Sequence, residues 1–213
     1  MIISLPMVDA DLIRSKNFKV VVDAVNSTGG IAVPNLLNKL GVEVVRLYCE
    51  PNGEFPHNPE PLKENLTDLS NLVIKEQADF GIVVDPDVDR LAFVSENGEV
   101  FGEEYTLVAC ADYFLKNKPG ITVSNLSSSR ALKDITESYG CEYFSSAVGE
   151  VNVVEKMKEK NAVIGGEGNG GIILPELHYG RDALVGIALF LTHLSKLNIS
   201  CSDLRKKYPD YFM

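Results

Sequence analysis

Twice along its 213 residues this chain runs through one order of segments: a short β-branched run, a loop of small residues, and a stretch with apolar side chains at helical spacing. That alternation of periods predicts strands and helices taking turns, the pattern of a layered α/β fold. In the first block Lys19 to Val22 reads as a buried strand ending at Asp23. The loop Asn26-Ser27-Thr28-Gly29-Gly30 follows, Pro34 is allowed early in the next helix and Gly41 ends it. Val42 to Leu47 is a second strand, Leu66 to Gln77 a helix and Phe80 to Val84 a third strand. Leu91 to Ser95 and Glu99 to Phe101 form a hairpin in which Asn97-Gly98 signals a type I′ turn. A helix from Glu103 to about Lys116 stops at Pro119-Gly120.

The second block repeats the scheme. Strands are expected at Ile121 to Ser124, Cys141 to Ser145 and Ala162 to Ile164, and helices at Ala131 to Tyr139, Val151 to Lys160 and Ala183 to Leu197. The expectation is two consecutive three-layer α/β/α domains with mixed, mostly parallel sheets. They span residues 1–118, opened by a short lead-in helix, and residues 119–213.

Composition narrows the functions such a chain can serve. Apolar residues at 45 % suit a packed core. A formal charge of −10 without a basic run argues against nucleic-acid partners, because phosphate neutralisation needs clustered cations. Cys49, Cys110, Cys141 and Cys201 are too scattered for a zinc knuckle or a redox pair. The longest apolar stretch, Ala183 to Leu191, is about half a membrane span and contains Gly186. No secretory leader is visible around Met1 to Asp9, so a cytoplasmic protein without a membrane partner is expected.

The most informative stretch is Asp85-Pro86-Asp87-Val88-Asp89-Arg90, directly after the apolar run Gly81 to Val84. Three carboxylates at alternate positions leave the carboxyl end of a buried strand, where open α/β sheets place ligands. Hard divalent cations take such oxygens and keep positions open for a phosphate oxygen. Arg90 can pair with a carboxylate or a phosphoryl group. Asp85, Asp87, Asp89 and Glu96 also fit part of an EF-hand loop, but Arg90 stands where that loop needs glycine, and strands flank it instead of helices. Asp85-x-Asp87 after a strand also fits a haloacid-dehalogenase-type phosphatase, although Asp89 stands in place of its Thr or Val.

Gly165-Gly166-Glu167-Gly168-Asn169-Gly170-Gly171 is the second unusual stretch. Gly166, Gly168 and Gly171 satisfy the dinucleotide spacing, yet Ile172-Ile173-Leu174-Pro175 follows as extended chain where a helix is required. So many glycines predict a loop whose backbone approaches a ligand, or else a flexible hairpin without one. Glu167 and Asn169 are its polar side chains, a pair suited to vicinal sugar hydroxyls. His178 follows the glycine loop closely, and Arg181 three residues on can bind an anion or equally pair with Asp182 or Glu176. His57 stands in a proline-rich loop, Ser127 to Ser129 read as a helix cap, and Asn26 to Gly30 as turn chemistry.

Taken together, these stretches resemble the α-D-phosphohexomutases, the phosphoglucomutase/phosphomannomutase family. Asp85-Pro-Asp87-Val-Asp89-Arg90 is similar to the family's metal loop D-G-D-G-D-R, and Gly166-Glu167-Gly168-Asn169-Gly170-Gly171 to its sugar-recognition loop, often G-E-x-S-G-H. Pro51 to Pro61 resembles its proline-rich segment. Order and spacing match over nearly the whole chain. The resemblance implies the second and third of the family's four domains, with the phosphoserine of the first and the phosphate-holding loop of the fourth not represented. The 213-residue chain is then a fragment, inactive alone, whose partners are those two domains and a hexose phosphate.

The family mechanism would place Mg²⁺ on Asp85, Asp87 and Asp89, with Arg90 steadying the phosphoryl group during transfer between the 1- and 6-positions. Gly166, Glu167, Gly168 and Asn169 would meet the sugar, with Arg181 and His178 nearby. Pro86 and Val88 replace the glycines of the metal loop, and Asn169 and Gly171 replace Ser and His of the sugar loop. Glucose, mannose and glucosamine phosphates all remain open. The competing readings are the phosphatase with Asp85 as nucleophile and a non-catalytic sugar-phosphate-binding module.

Overall fold

The two blocks become two four-stranded sheets of one plan in a computed structural model that describes residues 1–211. The first contains β1 (Lys19–Asp23), β2 (Glu43–Leu47), β3 (Phe80–Val84) and β4 (Leu91–Ser95) in the order β2-β1-β3-β4. The second contains β5 (Thr122–Asn125), β6 (Tyr143–Ser146), β7 (Ile164–Glu167) and β8 (Gly171–Ile173) in the order β6-β5-β7-β8. In both, the first three strands run parallel and the last returns antiparallel. The β3–β4 and β7–β8 hairpins therefore occupy equivalent places, and their connections lie at the carboxyl ends of the parallel strands, where ligands bind.

Among the described residues eight α-helices cover the sheets: α1 (Ala10–Lys16), α2 (Gly29–Lys39), α3 (Thr67–Glu76), α4 (Glu103–Asn117), α5 (Ala131–Ser138), α6 (Glu150–Lys160), α7 (Ala183–Leu197) and α8 (Cys201–Arg205). Alternation along each strand explains how they are placed. Val21 and Val83 face α3 through Leu69 and Val73, whereas Val20, Val22, Phe80 and Ile82 face the opposite way. In the second sheet Val123 and Ile173 meet Val153 and Met157 of α6. The remaining faces of both sheets, with α2, α4 and α7 between them, form a single apolar core. The two α/β/α sandwiches thus share their middle helical layer.

That shared layer explains the composition of its helices. Helix α7 is apolar almost all round and α4 is buried over most of its length, as suits helices between two sheets. Phe190 of α7 stacks on Phe93 of β4 with centroids 3.7 Å apart, and meets Phe80 and Phe101 edge-on at 5.7 and 5.3 Å. The Asp112 carboxylate of α4 accepts from Tyr139 Oη at 2.6 Å and Tyr208 Oη at 2.9 Å, tying the end of α5 and the C-terminal segment to it. Among the described residues no helix is long and apolar enough to cross a membrane.

Two expectations are corrected. Asn97-Gly98 does not form a type I′ turn: Gly98 alone has positive φ (83°), and the Gly98 N–H donates to the Ser95 carbonyl. The connection is a type I turn closed by a bulge at Gly98, and its return arm is reduced to a bridge between Val94 and Val100. The glycine-dense stretch is mostly not a loop. Gly165, Gly166 and Glu167 belong to β7 and Gly171 to β8, which leaves Gly168 to Gly170 as a tight turn. The pattern hid these strands because glycine has no β preference of its own.

Candidate active site

Strand β3 delivers Asp85 buried at its carboxyl end, and the chain then folds back on that residue. Asp85 Oδ1 accepts from the backbone N–H of Asp89 at 3.0 Å and of Arg90 at 2.9 Å. Val88 takes a φ of 62°, a left-handed conformation that is costly for a β-branched residue, and its carbonyl accepts from the Ala183 N–H at 3.0 Å where α7 begins. The turn brings one oxygen each of Asp85, Asp87 and Asp89 within 4.8 Å of one another.

This cluster is short of positive charge. Burial, reinforced by Asp89 and Asp87, pushes Asp85 up to about 7, and burial also raises Asp89 against the lowering pull of Arg181. Arg90 Nε is 3.7 Å from Asp85 Oδ2 and otherwise lacks a partner, while its Nη1 reaches Glu60 at 3.3 Å. Asp89 Oδ1 is buried with no hydrogen-bond partner. A buried lone carboxylate oxygen beside two further carboxylates fits a hard divalent cation such as Mg²⁺, which takes oxygen ligands.

The β7–β8 hairpin supplies the second part. Glu167, buried in β7, accepts from Asn125 Nδ2 at 2.7 Å and from the Gly149 N–H at 3.3 Å on Oε1, and pairs with Arg181 Nη1 at 2.8 Å through Oε2. Asn169 Oδ1 accepts from the Gly171 N–H at 3.2 Å, which leaves its amide nitrogen free to donate. Glu167, Gly168 and Asn169 line a cavity of about 250 Å³ together with Asn125, Glu103 and, from the segment before α3, Leu62. Gly166 belongs to β7 and is not among the residues that line this cavity.

The two hairpins are pinned together. The Leu91 N–H donates to the Gly170 carbonyl at 3.1 Å, and Arg90 bridges Gly171 in antiparallel fashion. Gly170 has a φ of 88°, and a Cβ there would run into the Leu91 carbonyl. Arg181 adds a side-chain link, with Nη2 2.5 Å from Asp89 Oδ2, Nη1 on Glu167 and Nε 3.2 Å from Glu150 Oε2. A Cβ on Gly171 would collide with the Arg181 side chain, so glycine at that position leaves the guanidinium its path.

The structure therefore brings Asp85, Asp87, Asp89, Arg90, Glu167, Gly168, Asn169 and Arg181 to one edge of the molecule, where the two sheets meet. It does not bring His178 there. That ring is exposed, its Nε2 3.0 Å from Asp182 Oδ2, and it borders a separate cavity of about 320 Å³ beside Ala32 and Leu36. Asp182 caps α7 by accepting from Leu184 and Val185 N–H groups, so the imidazole supports a helix start. His57 holds the buried Asp23 carboxylate at 3.0 Å. Asn125 and Glu150 are additions that sequence reasoning missed. The place of Asn125 at the carboxyl end of β5 was a signal, whereas Glu150 looked like an ordinary first residue of a helix.

Comparison with known proteins agrees with this geometry. Residues 2–98 match the model of phosphoglucomutase/phosphomannomutase α/β/α domain II, and residues 102–211 that of domain III. A phosphoglucomutase/phosphomannomutase of Thermococcus kodakarensis is 36 % identical over 207 residues, 96 % of this chain and 45 % of the relative. A probable phosphoglucosamine mutase of Methanopyrus kandleri is 32 % identical over 96 % of this chain and 46 % of its own length. The crystal structure of a phosphoglucomutase/phosphomannomutase family protein from Burkholderia thailandensis superposes with a TM-score of 0.84 at 28 % identity, covering 95 % of this chain and 46 % of that one. The chain spans about half the length of the curated relatives it matches. With two consecutive domain models together matching nearly all of it, the chain belongs to the phosphoglucomutase/phosphomannomutase family.

Proposed function

We propose that these residues form the cation-binding and sugar-binding centre of a phosphohexomutase, an enzyme that moves a phosphoryl group between the 1- and 6-positions of a hexose phosphate. The observation that carries this reading is the pinning of the Asp85–Arg90 loop against the Glu167–Asn169 turn. A sugar bound at one lies beside a cation held at the other. Asp85, Asp87 and Asp89 would hold Mg²⁺, which when bound offsets the charge of a phosphoryl group in transfer. Arg90 has an unpartnered Nε to offer a phosphoryl oxygen. Glu167 can accept from a sugar hydroxyl while Asn125 and Arg181 hold its orientation, and Asn169 can donate to a neighbouring one.

Transfer needs a group that gives up and takes back the phosphoryl. We assign that task to a phosphoserine on a first domain, and the hold on the distal phosphate to a fourth, both partnering the two domains seen here. A sugar bisphosphate is then the intermediate, and the 213-residue chain by itself has no mutase activity. Membership of a different family sets aside the haloacid-dehalogenase-type phosphatase, and Asp85 Oδ1 is already occupied by two backbone N–H groups.

Calorimetric titration of the purified chain with a hexose 1,6-bisphosphate in Mg²⁺ tests the reading. Binding is expected, weakened about tenfold or more by Asp87→Asn and by Glu167→Gln, since each removes a charge-assisted contact. Equal affinity in both variants would remove the site from these loops. Conversion of a hexose 1-phosphate to the 6-phosphate by this chain alone would overturn the assignment of the nucleophile elsewhere.

A further inference from the structure

Arg181 is surrounded by carboxylates from three separate elements, with only 13 % of its side chain exposed. Its Nη2 holds Asp89, its Nη1 holds Glu167, and both its Nε and its backbone N–H are held by Glu150. An arginine so enclosed has little left to offer a substrate anion. The two oxygens of Asp89 are treated differently: Oδ2 is taken by Arg181, and Oδ1 is buried and unpartnered. Clamping one oxygen of a carboxylate fixes where the other points.

We propose that Arg181 is a positioning residue that aims Asp89 Oδ1 at the cation and ties the cation loop to Glu167 of the sugar turn. This inference rests on the cation site assigned above. The planar guanidinium suits the task, because its donors leave in fixed directions and one group sets the relative places of three carboxylates. A lysine would supply the charge without the fork. Partners of this kind, one shell behind a metal ligand, typically change metal affinity 10- to 100-fold when removed. Glu150 grips the arginine at two points and keeps the fork from rotating, and Gly171 leaves its path open.

A competing account makes Arg181 a plain counter-charge, and the two accounts predict opposite signs. Taking a positive charge away from an acidic cluster draws a cation in more strongly by Coulomb's law, whereas losing the clamp weakens binding. The test is Mn²⁺ affinity, read by electron paramagnetic resonance on the whole chain at fixed pH. Wild type is compared with Arg181→Lys, Arg181→Gln and Glu150→Asp, and Asp87→Asn reports whether the ion sits at the aspartates. Positioning predicts about tenfold weaker binding in both Arg181 variants and a smaller loss in Glu150→Asp. Tighter binding in Arg181→Gln with no change in Arg181→Lys overturns it. If the Arg181 variants fail to fold by circular dichroism, Glu150→Asp decides, because it keeps the charge but withdraws the carboxylate from the guanidinium: weaker binding supports the proposal, unchanged binding rejects it. Wild type that binds no Mn²⁺, or Asp87→Asn that binds it equally well, removes the cation site itself and this proposal with it. Intact Asp87-dependent binding that ignores Arg181 and Glu150 removes this proposal alone.

Discussion

Gly170→Ala is the sharpest perturbation of the contact that joins the two loops. Gly170 has a φ of 88°, and the new methyl group would meet the Leu91 carbonyl, part of the backbone that cannot swing away. Left-handed backbone costs an alanine about 1–2 kcal/mol relative to glycine. Moving apart would break the 3.1 Å hydrogen bond from the Leu91 N–H, in a residue that is fully buried. Stranding that donor costs about 1–3 kcal/mol more. Gly140→Ala supplies the control, since Gly140 has a φ of 68° with nothing within 4 Å of an added Cβ, and it bears the backbone cost alone. For a chain of this size each kcal/mol lowers the melting temperature by roughly 2–4 °C. Gly170→Ala should therefore lose roughly 4–20 °C and Gly140→Ala roughly 2–8 °C, with the former always the larger. Thermal and urea melts measure both. Equal losses would mean that the hairpins are not pinned at Gly170, and the combined site would lose its structural basis.

Three further perturbations probe other parts of the account. Phe190→Ala removes the ring that α7 inserts against Phe80, Phe93 and Phe101, and should cost about 3–5 kcal/mol, seen as a lower urea midpoint with an unchanged slope. Asp87→Asn takes a like charge away from Asp85 and Asp89, so it should raise the melting temperature in a chelator and abolish the increase that Mg²⁺ gives wild type. The Asp23 hydrogen bond outweighs burial and raises His57 above its ordinary 6.5. A raised folded value means that the stabilisation is complete below about pH 6.5 and is lost as pH climbs through the folded value. The excess stability of wild type over His57→Gln should accordingly be larger at pH 6 than at pH 9, and the same difference at both would refute the coupling.

How far the sequence could be read depended on whether the chemistry was contiguous. Asp85, Asp87, Asp89 and Arg90 lie within six residues of one chain, so spacing alone showed them facing one point. The β-branched runs showed the strands for the same reason, because their period is local. Glu150 gave no local sign of belonging to the site, and Asn125 only its place at a strand end. Asn125 reaches Glu167, and Glu150 reaches Arg181, only once parallel pairing has set the carboxyl ends of β5 and β7 and the start of α6 side by side. His178 and Arg181 lie three residues apart in one loop, yet one supports the start of α7 and the other joins both hairpins. No local pattern separates them, since which side of the loop is buried is decided by Glu150, Glu167 and Asp89 from elsewhere. The shared helical layer was hidden likewise: α7 follows the second sheet in sequence but lays Phe190 on the first.

We assign one cation site to the Asp85–Arg90 loop, abutting the sugar turn. Paramagnetic broadening of backbone amide resonances by substoichiometric Mn²⁺ locates that site. Broadening should be centred on Asp85 to Arg90, extend through the Leu91–Gly170 contact to Gly168, Asn169 and Gly171, and be absent from both segments in Asp87→Asn. Broadening centred on another acidic surface, or confined to one hairpin while the other stays sharp, would contradict it.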